Sequence, residues 1–186
     1  MNKIKVFQKA AILGSALFIM ILSYFVGTNP LVIQYHIIGW NKLPSDNSNI
    51  IYQQTHSDCG PAALANIFQH YDIPFNLSNI AEEAGTDSIG TSLKALKRIA
   101  IKKGLNAEGW KYNWKDFNSS QKPVIAFING NHFVMIEKSN DETVVMVDPS
   151  RGRLKMKAEK FKRIWQGETL QIARAEPNDP ARIKAE

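Results

Sequence analysis

Cysteine is nearly absent from this sequence of 186 residues, in which Cys59 is the only one. A single thiol excludes an intramolecular disulfide framework and leaves the redox compartment undetermined. No G-x-x-x-x-G-K-[S/T] motif occurs, so the sequence contains no P-loop for ATP. With 44% apolar and 22% charged residues, the composition is that of one ordinary globular domain with a sizeable core.

Charged residues are missing from a long stretch near the N-terminus. Between Lys9 and Lys42 there is no Asp, Glu, Lys or Arg, and residues 10–33 are mostly apolar. Because about 20 apolar helical residues span a bilayer core, residues 10–33 are predicted to form a transmembrane anchor. A cleaved signal peptide is the alternative, but no clear small-x-small cleavage site follows the apolar run. The three lysines within residues 1–9 place that end in the cytoplasm and the rest of the chain on the outer side.

The residues after the anchor divide into three predicted segments: a juxtamembrane linker at 34–49, a globular domain at 50–172 and a loose tail at 173–186. Within the domain, apolar residues follow helical spacing, with capping and turn residues between the helices, as far as Gly104. Short runs rich in Val and Ile, separated by turns, follow from Pro123 onward. Helices first and antiparallel strands afterwards indicate an α+β fold.

The positive charge is concentrated in one segment. Residues 151–163 hold seven Lys or Arg against one acid, which equals the net charge of +6 of the whole chain. A solvated strand face and helix face is the ordinary interpretation of such a run. The functional alternative is contact with anionic lipid headgroups beside the anchor. The interleaved aromatic residues are too few to indicate a nucleic-acid partner.

Cys59 lies where a loop is predicted to become a helix. Asp58 is a good N-cap residue, and Pro61 is tolerated in a first helical turn. One buried face of this helix is predicted from residues at i, i+3, i+4 and i+7: Leu64, Ile67, Phe68 and Tyr71. A lone cysteine is more often a small buried hydrophobe. At a helix N-terminus, however, the positive end of the dipole favours the nucleophilic thiolate.

A nucleophilic cysteine needs a base, and the sequence offers four histidines. His36 lies in the predicted linker. His70 lies about three helical turns from the sulfur. His56, three residues before the nucleophile in a loop, is poorly placed to approach it from the substrate side. His132, at the start of a predicted strand, is therefore the expected base.

Asp148 is the expected partner of His132. It ends the strand that follows, and a hairpin pairing symmetrically about Asn140 would place the two residues directly opposite each other. A slip of one residue would put them on opposite faces. The backbone N–H of Cys59 is one candidate oxyanion donor, and the side-chain amide of Gln53 or Gln54 is the second.

The segment from Gln53 to Leu64, with Asp58-Cys59-Gly60-Pro61 at its centre, resembles the nucleophile motif of bacteriocin-processing peptidases. These are papain-like cysteine peptidases that cut double-glycine leader peptides. Further motifs follow in the family's order: Gly90-Thr91-Ser92-Leu93, His132-Phe133-Val134-Met135, Asp148-Pro149, and Phe161 to Trp165 with Gly167. The resemblance covers about residues 50–170. It implies a papain-like fold, with helices carrying the cysteine and an antiparallel sheet carrying the histidine and aspartate.

The resemblance also implies a role for each matching residue. Cys59 would be the nucleophile, His132 the base and acid, Asp148 the residue that orients it, and Gln53 the oxyanion donor. Gln54 is one place out of register with the family motif. No cofactor and no metal is implied.

Family members are often the cytosolic domain of an ATP-driven exporter, which a chain without a P-loop cannot be by itself. The expected protein is therefore a single-pass, membrane-tethered cysteine peptidase of the bacterial inner membrane. Its catalytic domain would lie outside the cytoplasm, act on a peptide or protein substrate, and cooperate with a separate export system.

Three alternatives stay open at this point. The first is a cell-wall peptide amidase or endopeptidase on a similar papain-like core, which the predicted location suits. The second is a catalytically silent peptide-binding module, although such a module has no physical need for an intact set of catalytic residues. The third is a zinc site formed by His56, Cys59 and His132, which lacks the paired spacing of known zinc motifs.

Overall fold

The structure, a computed structural model, describes residues 39–43 and 49–175, together with positions 18, 23 and 24. It divides the chain into two compact units, Met1–Asn41 and Lys42–Glu186.

In the first unit, Phe18, Ser23 and Tyr24 are helical and exposed. Apart from these three positions, the anchor predicted at 10–33 lies outside the described residues, and so does the predicted cytoplasmic segment 1–9. Across the part of the chain that is described, no helix has the length and apolarity needed to cross a membrane.

Three helices precede the main sheet: α1 (Cys59–His70), α2 (Leu77–Ala84) and α3 (Leu93–Lys102). The side chains of Asn76 and Ser92 cap α2 and α3 by accepting backbone N–H bonds. Such caps satisfy donors that have no partner within the helix, which fixes where both helices begin.

A short strand, β1 (Trp40–Lys42), precedes the helices. Six further strands form the antiparallel sheet, in the spatial order β6-β5-β4-β3-β7-β2. The α+β prediction is confirmed. The strands and the two short helices among them are β2 (Leu105–Lys111), α4 (Trp114–Ser119), β3 (Val124–Ile128), β4 (His132–Ser139), β5 (Thr143–Asp148), β6 (Gly152–Lys157), α5 (Ala158–Ile164) and β7 (Trp165–Arg174).

The sheet is buried on both faces. One face packs against the helices and contributes to their core through Ile125, Phe133, Met135, Val147 and Leu170. The residues that alternate with these along β3 and β4 are equally buried. Because successive strand residues point to opposite faces, the second face is covered as well. The short helices α4 and α5 and the start of β7 form an aromatic cluster, in which the Phe117 and Trp165 ring centroids lie 4.4 Å apart.

Ordered structure extends a few residues beyond both predicted boundaries of the globular domain, 50 and 172. The second unit begins at Lys42, within the expected linker, and the N–H of Leu43 donates to the carbonyl of Arg153 at 2.9 Å. The last strand, β7, continues through Arg174 into the expected tail. Arg174 is held in the strand by two contacts: its backbone pairs with Leu105, and its guanidinium donates to the Tyr71 carbonyl at 2.6 Å. Residues 176–186 lie outside the described part.

The predicted hairpin register is wrong, although His132 and Asp148 meet. Asn140 begins the turn instead of lying at its centre, because its side-chain oxygen accepts the N–H groups of Glu142 and Thr143. Near the turn, Ser139 pairs with Val144, a register that would put His132 and Asp148 on opposite faces.

A β-bulge between Ile136 and Lys138 shifts the register of this hairpin by one residue. Beyond it, Met135 pairs with Val147. His132 and Asp148 then lie diagonally on one face, within reach of each other's side chains.

Gly167 gives a direct test of how closely β7 packs against Tyr112, the residue that follows β2. Its φ is +106°, and a Cβ atom there would lie 2.6 Å from the backbone oxygen of Tyr112. We expect Gly167→Ala to lower the free energy of unfolding by about 3 kcal/mol in denaturant titration. Gly109→Ala is the matched control, because its Cβ would meet only the Leu93 side chain at 3.8 Å. Equal stability of the two variants would contradict the account.

Candidate active site

The Cys59 sulfur lies where the start of α1 meets the start of β4. Cys59 is 5% exposed, and its thiol is hydrogen-bonded to the His132 side chain and to the backbone N–H groups of Phe133 and Gly60. A Cβ atom on Gly60 would come within 3.2 Å of the Phe133 ring and of Thr91. Glycine therefore lets β4 approach the helix start closely enough to bring a donor to the sulfur.

His132 connects the sulfur to a buried carboxylate. Its Nε2 lies 2.8 Å from Asp148 Oδ1, and the side chains of the two residues are 18% and 5% exposed. Because Nε2 faces the carboxylate, Nδ1 is the ring nitrogen left for the hydrogen bond with Cys59. Direct contacts thus join Cys59, His132 and Asp148, which are three of the four residues predicted for the site.

The contacts shift the pKa values of the pair in opposite directions. Burial raises the pKa of the Cys59 thiol, but hydrogen bonds from His132 and Phe133 bring it below its ordinary value. Burial lowers the pKa of His132, but hydrogen bonds to Asp148 and Cys59 raise it to about 9. A low thiol pKa and a high imidazole pKa favour a thiolate–imidazolium pair at neutral pH.

Asp148 is held in place by the loop that follows it. Ser150 donates to Asp148 Oδ1 from both its N–H, at 2.8 Å, and its hydroxyl, at 2.6 Å. Burial raises the pKa of the carboxyl, but hydrogen bonds from His132 and Ser150 hold it below the ordinary value. Asp148 is therefore ionised and oriented before any substrate arrives.

Gln53, the fourth predicted residue, joins the site through the backbone. Its N–H donates to the Pro149 carbonyl at 3.0 Å, next to Asp148, and its side-chain Nε2 donates to the Thr55 carbonyl at 2.7 Å. Gln54 is exposed. The structure thus places Gln53 in a loop fixed between the nucleophile and the Asp148 turn.

The sequence predicted one cap incorrectly and missed two contributors. Asp58 occupies the N-cap position, but its carboxylate makes no cap bond and turns back toward the loop before it. Ser150 could have been found, since Asp-Pro-Ser after a strand is typical of a turn closed by an aspartate side chain. The Phe133 N–H could not, because only tertiary packing brings a backbone donor to the sulfur.

The profile of the Peptidase C39 family matches residues 47–177. The chain belongs to this family of cysteine peptidases. The resemblance to double-glycine bacteriocin-processing peptidases is thereby confirmed, and the papain-like, antiparallel fold with it.

Relatives of the chain differ greatly in length. An uncharacterized protein of Methanothermobacter thermautotrophicus is 33% identical over 125 residues, covering 67% of this chain and 88% of its own. The lactococcin-G-processing and transport ATP-binding protein LagD of Lactococcus lactis is 31% identical over 128 residues, or 65% of this chain. The match spans only 18% of LagD.

Two solved structures share the fold. A double glycine motif protease from an AMS/PCAT transporter, crystallised with its leader peptide, is 26% identical with a TM-score of 0.66. That likeness covers 68% of this chain and 91% of the protease chain. The peptidase domain of Streptococcus ComA, a bifunctional ABC transporter, is 24% identical with a TM-score of 0.63 over 67% and 97% of the two chains, which shows the fold.

The pairing of Cys59 with His132 is testable without a substrate. We expect iodoacetamide to alkylate Cys59 rapidly at pH values below the ordinary thiol pKa of about 8.5, because the contacts with His132 and Phe133 lower the pKa of Cys59. In His132→Ala, burial is no longer offset by the imidazole, so the reactive form should appear only at higher pH. The measurement is the alkylation rate of the full chain against pH.

His56→Ala is the control for this experiment, because His56 is exposed in the loop before the nucleophile. It should leave the pH profile of alkylation unchanged. A wild-type thiol that titrates near its ordinary pKa, with no effect of His132→Ala, would identify Cys59 as a structural residue.

Proposed function

We propose that this chain is a membrane-tethered cysteine peptidase that hydrolyses the peptide bond following a double-glycine-type leader. One observation carries the proposal: the Cys59 thiol at a helix start is bonded to His132, which lies 2.8 Å from the buried carboxylate of Asp148. The family membership and the likeness to a double glycine motif protease support the choice of substrate.

In the first half of the reaction, the Cys59 thiolate attacks the scissile carbonyl carbon. The carbonyl π electrons move to the oxygen, which the Cys59 N–H and the Gln53 side-chain amide stabilise as an oxyanion. His132, as imidazolium, then donates its proton to the leaving amine. The C–N bond breaks, and a thioester to Cys59 remains.

In the second half, His132 is neutral and acts as a base. It takes a proton from water while the water oxygen attacks the thioester carbonyl. The C–S bond breaks, the leader leaves as a carboxylic acid that loses its proton to solvent, and Cys59 returns to the thiolate. Asp148 keeps the imidazole oriented through both steps and stabilises its charged form.

Membrane tethering is part of the proposal. Residues 10–33 would anchor the chain in the bacterial inner membrane, with residues 1–9 in the cytoplasm and the peptidase on the outer side. The chain would then meet its substrate during or after export by a separate system. LagD is by its name a processing and transport ATP-binding protein, which supports a transport context.

The decisive experiment is cleavage of a peptide with Gly-Gly before the scissile bond, followed by mass spectrometry. We expect cleavage directly after the second glycine by the full chain in detergent, and none by Cys59→Ala. Replacing Gly-Gly by Leu-Leu should slow cleavage by more than about tenfold, because a cleft that fits glycine cannot admit larger side chains.

Two other outcomes would favour different functions. Cleavage of purified peptidoglycan stem peptides, with the Gly-Gly peptide left intact, would support a cell-wall amidase or endopeptidase. Binding of the peptide without turnover would support a silent binding module.

A further inference from the structure

We propose that Asp58 is a positioning residue for Gln53, acting through the backbone of Thr55 to aim the oxyanion donor. The inference rests on the proposed function in one respect: Gln53 is taken as the donor to the oxyanion. The Asp58 carboxylate lies next to the nucleophile in sequence but takes no part in the proposed reaction steps.

The Asp58 side chain is in an unusual place for a helix cap. It is 6% exposed and precedes Cys59, yet it makes no bond to the first turn of α1. Its Oδ1 instead accepts the N–H of Thr55 at 2.9 Å, and its Oδ2 accepts the N–H of Gln54 at 3.0 Å. Both oxygens of the buried Asp58 carboxylate therefore accept hydrogen bonds from the loop that carries Gln53.

Thr55 links Asp58 to the Gln53 side chain, because its N–H is bonded to Asp58 and its carbonyl is bonded to Gln53. The carbonyl accepts the Gln53 Nε2 at 2.7 Å, while the buried Gln53 Oε1 has no hydrogen-bond partner within the described residues. The Thr55 bond is thus what orients the amide in the described part of the chain. A primary amide has two N–H groups, so one is held by Thr55 and the second is left for the oxyanion.

The other end of the loop is fixed independently. The Asn66 side chain in α1 accepts the N–H of Ile51 at 3.0 Å and donates to its carbonyl at 2.8 Å. The Gln53 N–H is bound to Pro149. With these contacts on one side and Asp58 on the other, the Gln53 backbone is held on both sides of the residue.

The charge on Asp58 needs an explanation that capping does not give. A serine or asparagine would serve equally well as a cap at this position, without a charge. Hydrogen bonds to an ionised acceptor are roughly twice as strong as neutral ones. The Asp58 carboxylate therefore holds the loop at the oxyanion site more rigidly than a neutral side chain would.

The test uses acetyl-Gly-Gly aldehyde, which does not require hydrolysis. The Cys59 sulfur adds to the aldehyde carbon, the C=O π electrons move to oxygen, and His132 supplies the proton if that oxygen is neutralised. The oxygen of this adduct occupies the oxyanion position, so affinity for the aldehyde reports on Gln53. Alkylation by iodoacetamide, which forms no oxyanion, reports on the thiolate alone.

Asp58→Asn leaves one acceptor oxygen for two N–H groups. We expect Asp58→Asn to weaken aldehyde binding about tenfold. Gln53→Ala, which loses the oxyanion donor itself, should weaken aldehyde binding roughly 100-fold. In the Gln53→Ala background, Asp58→Asn should add no further loss, since it acts through that residue. Asp58→Asn should not slow alkylation at neutral pH.

Asn140→Ala is the matched control. Asn140 also holds a loop by accepting two backbone N–H groups, but it lies at the far end of the hairpin from His132. It should lower stability without weakening aldehyde binding. Additive losses in the double variant, unchanged aldehyde affinity in Asp58→Asn, or unchanged affinity in Gln53→Ala would each overturn the inference.

If Asp58→Asn does not fold, the wild-type protein still allows a test. In nitrogen-15 relaxation, the Gln53 side-chain amide should be as rigid as the Thr55 backbone that Asp58 holds. A mobile Gln53 amide beside a rigid Thr55 would contradict the inference. Because none of these readouts requires peptide hydrolysis, failure of the Gly-Gly cleavage assay would count against the proposed function alone.

Discussion

The hydrogen bond between Cys59 and His132 is the interaction on which the rest of the site depends. It joins two parts of the fold, since the sulfur belongs to a helix start and the imidazole to the start of a central strand of the sheet. For the pair to meet, α1 must begin at Cys59 and β4 must begin at His132. The buried Asp148 carboxylate then favours the charged imidazole, and the imidazolium favours the thiolate.

The sheet meets this demand by departing from regular geometry. The turn at Asn140 starts the hairpin in a register that would place His132 and Asp148 on opposite faces, and the bulge before Lys138 corrects it by one residue. The bulged residue, Glu137, forms a 2.6 Å ion pair with Arg153 on β6. One charge of the basic segment 151–163, that of Arg153, is therefore paired with an acid on a neighbouring part of the sheet and does not add to a cationic surface.

How much the sequence predicts depends on how local the physics is. A helix start, its buried face and a cysteine in its first turn are set by neighbours within a few residues, and Cys59 with its helix was predicted correctly. The contact of His132 with Asp148 was predicted, but through an incorrect register, because a bulge leaves no clear mark in one sequence. Strand β7 was missed: Gly167 and its polar residues obscure the alternation, and only pairing with β2 and β3 makes it a strand. The donor from Phe133 has no sequence signal at all.

The most direct test of the central claim is an NMR titration of the His132 ring in the resting protein. If Cys59 and Asp148 together stabilise the imidazolium, His132 stays protonated through neutral pH and loses its proton only near pH 9, where its pKa is raised to about 9. Asp148→Asn should then lower that pKa, because the carboxylate that stabilises the charge is gone. A His132 that titrates near 6.5 in the wild type, unaffected by Asp148→Asn, would contradict the thiolate–imidazolium pair.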